Sequence, residues 1–134
     1  MLMPNGLLCH QFIEGKFGSR VYIELLRRCA VPISKLNYGN DYFFQENNSA
    51  VHKAKAVKKL MLDSNINVLE WPAKSPDINI FEDIWKMYSS VIYDGRQFNI
   101  IMDLKTRIGQ AIDTFNTMKQ EDLKRLYVSI RQRI

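Results

Sequence analysis

The sequence contains few of the residues that build disulfide frameworks and metal clusters. Two cysteines, Cys9 and Cys29, and two histidines occur in 134 residues. The cysteines are too few and too far apart for a disulfide framework or a C-x-x-C metal site, so we expect both to be small apolar core residues in a reducing compartment. With one histidine besides His52, a histidine-based metal site is not expected.

Long hydrophobic runs and targeting signals are also absent from the sequence. No stretch is long enough to span a bilayer, and the opening residues 1–4 lack the basic start of a secretion signal. No internal repeat, low-complexity tract or obvious linker divides the chain. We therefore expect one domain over residues 1–134 in an intracellular protein, nuclear or cytoplasmic, with neither a membrane partner nor a small-molecule substrate.

Basic residues are in excess over acidic ones. The chain has 19 lysines and arginines against 14 aspartates and glutamates, which gives a net charge of +5 and a pI of about 9.3. Hydrophobic residues make up 46% of the sequence and can supply a modest core. The charge favours an acidic partner such as DNA, but it does not by itself separate a nucleic-acid binder from any other basic protein.

Apolar and turn-forming residues alternate along the chain in a pattern that predicts an α/β domain with an all-helical C-terminal part. Residues of about 5–93 form the predicted α/β core, and residues 94–134 form a helical tail. Pro32 is expected either to kink the first helix or to end it. The predicted strands cover residues 7–13, 42–44 and 66–69, and the predicted helices cover residues 19–32, 50–62, 81–93, 100–115 and 119–131.

The most informative stretch runs from Trp71 to Trp85. Its prolines, Pro72 and Pro76, forbid a helix through the first half, whereas nothing opposes one later. The stretch therefore predicts a strand end, a polar turn and a helix start, with Glu82 in the opening turn. A carboxylate in this place can help to hold a metal ion. A first-turn acid can equally have no other role than a favourable interaction with the helix dipole.

Two blocks of the sequence resemble the mariner superfamily of cut-and-paste DNA transposases. W-P-A-K-S-P-D-I-N-I-F-E-D-I-W resembles the family's W-P-x-x-S-P-D-L-N-P-I-E-N-x-W, and F-Q-E-N-N-S-A-V-H, from Phe44 to His52, resembles F-Q-Q-D-N-A-P-x-H. The 34 residues between Asn47 and Glu82 match an interval seen in one branch of the family. The resemblance implies a ribonuclease-H-like (DDE transposase) domain, with Glu82 at the third position of an Asp-Asp-Glu metal triad and Asn47 at the second.

The sequence departs from the family at the catalytic positions. Asn47 stands where the family has an aspartate, and two-metal phosphoryl transfer needs anionic oxygen ligands. Glu46 is a possible substitute, although neighbouring residues on a strand point to opposite faces. No acid precedes Leu7 to serve as the first triad member, so we expect the front of the family's sheet to be lacking. No cofactor is expected, and Mg²⁺ or Mn²⁺ would bind at Glu82 and Glu46 only if the chain were an enzyme.

Two surfaces follow from these expectations. The lacking strand would leave an inner sheet edge unpaired, which predicts a homodimer through that edge. The second surface is a basic helix face after the Asn47 position, which either contacts phosphates or is simply solvated. Its members are His52, Lys53, Lys55, Lys58 and Lys59, with His52, Lys55 and Lys59 predicted to share one face.

The sequence therefore predicts a transposase-derived DDE domain that is catalytically inactive. Its role is either nucleic-acid binding, which the charge favours, or dimerisation and protein interaction, which the exposed sheet edge favours. The alternative is a metal-dependent DNA endonuclease and strand transferase active in DNA transposition. In that case Glu46 would replace the lost aspartate and a partner chain would supply the first acid.

Overall fold

The computed structural model describes residues 2–3, 6–7, 10–47, 49–70, 72, 79–118 and 120–133. Two compact units divide the chain, and each is described by itself: a middle unit of residues 13–74 and a helical unit of residues 1–12 and 75–134. In chain order the elements are β1 (Leu2–Met3), β2 (Gly6–Leu7), α1 (Ser19–Leu25), a π-helical turn (Leu26–Ala30), α2 (Val31–Tyr38), β3 (Phe43–Phe44), α3 (Lys55–Asp63), β4 (Asn67–Val68), α4 (Ile80–Tyr93), α5 (Ile101–Met118) and α6 (Gln120–Arg133).

The first helix of the middle unit continues through Pro32 rather than ending there. In a regular α-helix the proline ring would clash with the carbonyl of Arg28, and Pro32 has no N–H to donate to it. The π-helical turn lies immediately before this point, where its wider hydrogen-bond spacing accommodates the proline. The helix ends at Tyr38, six residues beyond the predicted end at residue 32, because Gly39 adopts a φ of 61°, which favours glycine.

A parallel strand pair joined by a helix forms the rest of the middle unit. β3 and β4 pair in parallel, with Phe43 opposite Asn67 and Phe44 opposite Val68, and α3 connects them. Such a crossover helix is the usual connection between parallel strands. α3 lies against α1, and its buried residues Val57 and Met61 belong to the apolar stripe that the sequence predicted.

Three helices and a short antiparallel strand pair form the helical unit. β1 pairs with β2, with Met3 opposite Gly6. α4 carries apolar residues at spacings of three and four, so that they share one face and pack against α5 and α6. The buried residues of this core are Ile80, Ile84, Tyr88, Val91, Ile92, Ala111, Phe115 and Leu123.

Two polar contacts fix the ends of α4. Asn79 is the N-cap and accepts a hydrogen bond on its Oδ1 from the Phe81 N–H at 3.2 Å. At the other end Arg107 of α5 donates to the carbonyls of Val91 at 2.7 Å and Ile92 at 3.2 Å. These carbonyls lie in the last turn of α4 and have no partner within a regular helix.

Besides the first helix, two of the predicted elements have wrong boundaries. Among the described residues of the predicted strand 7–13, only Leu7 is in a strand. Residues 10–13 form an exposed loop, and strands are stabilised by side-chain burial that these residues do not have. The predicted helix 50–62 begins only at Lys55, because residues 49–53 form turns and Ala54 is extended, with a ψ of 137°. The three C-terminal helices are confirmed, each within a few residues of its predicted bounds.

Helices and short strands together agree with the α/β class that the sequence predicted. The described strands form two two-stranded sheets, and the order of a ribonuclease-H-like sheet stays a prediction. Of the described helices, none combines the length and the apolar character that crossing a bilayer requires. Cys29 is half-buried, whereas Cys9 and the turn at Ser75–Asp77 lie outside the described residues.

Candidate functional site

Glu82 lies in the first turn of α4, where the sequence placed it. Its side chain is exposed, and Asp83 follows it in the same turn. Two carboxylates in this turn interact favourably with the partial positive charge of the helix N-terminus. Glu82 is in the helical unit and Asn47 is in the middle unit, so the pairing of these two triad positions stays a prediction.

Asn47 closes a polar turn three residues beyond β3. Its Oδ1 accepts a hydrogen bond from the Ser49 N–H at 3.2 Å, which is an Asx turn. Its backbone oxygen lies 2.8 Å from Nδ1 of His52. Because a carbonyl can only accept, Nδ1 of His52 must carry the proton. Asn47 is therefore a turn residue whose amide oxygen already has a donor.

Glu46 points to a different environment from its exposed neighbour Asn47. Its carboxylate is half-buried and accepts a hydrogen bond from the Tyr22 hydroxyl of α1 at 2.6 Å. Burial of the phenol raises the pKa of Tyr22 well above its usual value, and the hydrogen bond and negative charge of Glu46 raise it further. The carboxylate of Glu46, the possible substitute for an aspartate at position 47, therefore accepts a hydrogen bond from the Tyr22 phenol.

Aromatic rings continue this cluster on both sides of Tyr22. The His52 ring lies against the Tyr22 ring, with centroids 4.5 Å apart and planes inclined by 34°. Phe17 meets Tyr22 edge to face, with centroids 6.0 Å apart. The sequence motifs pointed to neither Tyr22 nor Phe17. The only available signal was that a buried tyrosine hydroxyl usually needs an acceptor.

The predicted basic surface is confirmed only in part as a helix face. Lys53 precedes α3, and Lys55, Lys58 and Lys59 lie on it; all four are exposed. Val57 and Met61 occupy its buried side. His52 does not share this face, because it lies in the turn before the helix and packs against Tyr22. Lys59 also forms an exposed ion pair with Asp63 at 3.6 Å.

The donor groups around Asn47 do not fit a two-metal site. Hard divalent cations need several anionic oxygens, and here one oxygen belongs to a neutral amide in a turn and the neighbouring carboxylate accepts from Tyr22. In the part of the chain that the structure describes, no three His, Cys, Asp or Glu side chains are grouped to hold a metal ion.

Comparison with known proteins identifies the class to which this site belongs. The sequence profile of the DDE superfamily endonuclease family matches residues 1–105, and the chain belongs to that family. The chain is 26% identical over 125 residues to the transposable element Tc3 transposase of Caenorhabditis elegans, covering 92% of this chain and 37% of the relative. It is 32% identical over 74 residues to the transposable element Tcb1 transposase of Caenorhabditis briggsae, covering 55% of this chain and 27% of the relative.

These relatives confirm the resemblance to mariner-superfamily transposases. The domain is related to transposases by descent, and it spans 37% and 27% of the length of the two relatives named above. The matched segment includes β3, α3, β4 and α4, which carry both sequence blocks.

Proposed function

We propose that this transposase-derived DDE domain binds nucleic acid through an exposed basic surface and does not itself cut it. The basic surface consists of Lys53 and the α3 lysines Lys55, Lys58 and Lys59. The observation that carries the proposal is the exposure of Lys55, Lys58 and Lys59 on α3, whose other side is buried, together with the exposed Lys53 just before the helix. Lysines placed in this way bind phosphates by charge, without reading sequence.

The distribution of charge between the two units supports this assignment. Residues 13–74 contain ten lysines and arginines and six aspartates and glutamates, so the middle unit holds +4 of the total +5. The helical unit is nearly neutral. Nucleic acid would therefore be attracted to the unit that carries the basic surface rather than to α4, α5 and α6.

The arrangement at the second triad position supports the lack of cutting. Asn47 provides no negative charge, and the Glu46 carboxylate accepts from Tyr22. Metal-dependent phosphoryl transfer depends on ions held between charged ligands. In this proposal the domain keeps the ribonuclease-H-like arrangement of its family as a scaffold and uses it for binding.

Duplex binding can be measured by fluorescence anisotropy over a range of salt concentrations. The affinity of the wild type should fall steeply with salt, and Lys55→Glu/Lys59→Glu should weaken binding and reduce the salt slope by about 2, at roughly one counterion per lost contact. The matched control is Lys86→Glu/Lys124→Glu, which changes two exposed lysines of the helical unit and lowers the net charge equally. Equal losses in the two double variants would refute the assignment of the surface.

Metal dependence tests the lack of cutting. With Mg²⁺ or Mn²⁺ at millimolar concentration, the proposal expects no rise in Tm and no nicking of supercoiled plasmid. Nicking by the wild type that disappears in Glu82→Gln would refute it and favour the enzyme alternative, in which a partner chain completes the triad.

Self-association is a second candidate role, and the exposure of Phe43 favours it. Phe43 lies on β3 with 73% of its surface exposed, in a parallel strand pair, although parallel sheets are normally covered. A second copy pairing along β3 would bury this ring and use the edge of the strand.

A further inference from the structure

Phe17, Tyr22 and His52 form a row of three aromatic rings on the middle unit, here called the aromatic row. Tyr22 holds the centre, since it meets Phe17 edge to face at 6.0 Å and lies against His52 at 4.5 Å. Two hydrogen bonds fix the row: Tyr22 donates to Glu46 at 2.6 Å, and His52 to the Asn47 carbonyl at 2.8 Å. Phe17, at the end of the row, is 43% exposed.

Exposed cationic side chains occur in the same chain segments as the rings at the two ends of the aromatic row. Lys16 directly precedes Phe17, Arg20 follows it by three residues, and Lys53 directly follows His52. The acids in these segments are engaged: Glu24 pairs with Arg28 at 3.2 Å, Glu46 accepts from Tyr22, and Glu14 has a partner of its own. An exposed ring in a cationic segment fits a ligand that is flat and apolar in one part and anionic in the next.

We infer that Phe17 is a stacking platform for an unpaired base of single-stranded nucleic acid, whose phosphates lie on Lys16, Arg20 and Lys53. Aromatic rings beside a basic track are the general means of binding single strands, because every base has a face that can stack. A duplex cannot offer that face, since its bases are stacked on one another. An apolar protein partner would gain nothing from the three cations. The inference rests on the proposed function, because it names the form of nucleic acid that this unit prefers.

Fluorescence anisotropy with three labelled ligands of equal length can isolate the stacking contact. The ligands are a single strand of mixed sequence, the same strand with abasic sites throughout, and a duplex. Phe17→Ala should weaken binding of the intact single strand by about fivefold or more, the usual loss for one stacked base. Binding of the abasic strand and of the duplex should not change, because their phosphates still meet the lysines.

Two further variants serve as controls. Phe17→Tyr keeps an aromatic face and should restore the affinity of the wild type for the single strand. Leu36→Ala removes a more exposed apolar side chain of the same unit, 87% exposed and on α2, and should leave all three affinities unchanged. Circular dichroism and Tm of each variant show whether it is folded.

The outcomes separate this inference from the proposed function. Unchanged single-strand binding in Phe17→Ala, or an equal loss for the intact and the abasic strand, would refute the stacking role. If Lys55→Glu/Lys59→Glu weakens duplex binding while Phe17→Ala has no effect on any ligand, the proposed function stands and the inference fails. If Phe17→Ala weakens only the intact strand and the lysine variant has no effect, the inference stands and the α3 surface fails.

Discussion

Replacing Tyr22 with phenylalanine removes one hydroxyl and leaves the aromatic row in place. That hydroxyl donates to a carboxylate at 2.6 Å, and both side chains are half-buried. Hydrogen bonds to charged groups contribute roughly 1.5–3 kcal/mol when well shielded, and partial exposure reduces this value. We therefore expect Tyr22→Phe to lower the free energy of unfolding by about 1–2 kcal/mol. The Glu46 carboxylate would then have lost its phenol donor.

The same hydrogen bond gives the stability a defined dependence on pH. The folded pKa of Tyr22 is raised, first by burial and then by Glu46, above the unfolded value of about 10. The protonated phenol therefore contributes its full stability below pH 10 and loses it as the pH rises above that value, since only the unfolded state releases the proton. Tyr42 and Tyr88, whose pKa values burial also raises, contribute equally to both proteins and cancel in the difference.

Urea denaturation followed by circular dichroism can measure both effects. A double-mutant cycle of Tyr22→Phe and Glu46→Gln should give a coupling free energy of about 1 kcal/mol or more. Tyr38→Phe is the matched control, because Tyr38 lies on the same helical segment and its hydroxyl forms no hydrogen bond among the described residues. A coupling near zero, or equal loss of stability above pH 10 in the wild type and Tyr22→Phe, would refute the reasoning.

Two further predictions concern the helical unit and the β3 edge. Arg107→Ala should lower the free energy of unfolding by about 1–2 kcal/mol, because two last-turn carbonyls of α4 lose a charged donor. Arg96→Ala changes an exposed arginine and is the control, which should have little effect. An equal loss of stability in the two variants would contradict the role of Arg107. Sedimentation equilibrium at tens of micromolar should show a dimer that Phe43→Asp dissociates, whereas a monomeric wild type would exclude pairing along β3.

The parts of the fold that the sequence predicted well depend on local signals. The start of α4 follows from the end of the proline-rich stretch, beyond which nothing opposes a helix. The start of α3 could not be predicted in this way. His52 is bonded to Asn47 and packed on Tyr22, and this tertiary contact keeps residues 49–53 in turns although their helical spacing is good.

In the candidate site, too, the sequence indicated local motifs but not contacts between residues far apart in the chain. The sequence blocks identified the family to which the chain belongs, and the triad roles of Asn47 and Glu82 stay predictions. The Tyr22–Glu46 hydrogen bond joins residues 24 positions apart, and no local pattern indicates it. Glu46 is half-buried and Asn47 is exposed, although both lie beyond the end of β3, where strand alternation does not apply.

The neutral amide at position 47 is understandable from what now holds this segment together. Glu46 and Asn47 are adjacent in the sequence, but the Glu46 side chain is half-buried and the Asn47 side chain is exposed. Repulsion between Glu46 and an aspartate at position 47 would therefore be weakened by solvent. Asparagine provides the acceptor that Ser49 requires without adding the second charge. Hydrogen bonds from Tyr22 to Glu46 and from His52 and Ser49 to Asn47 hold this segment in place.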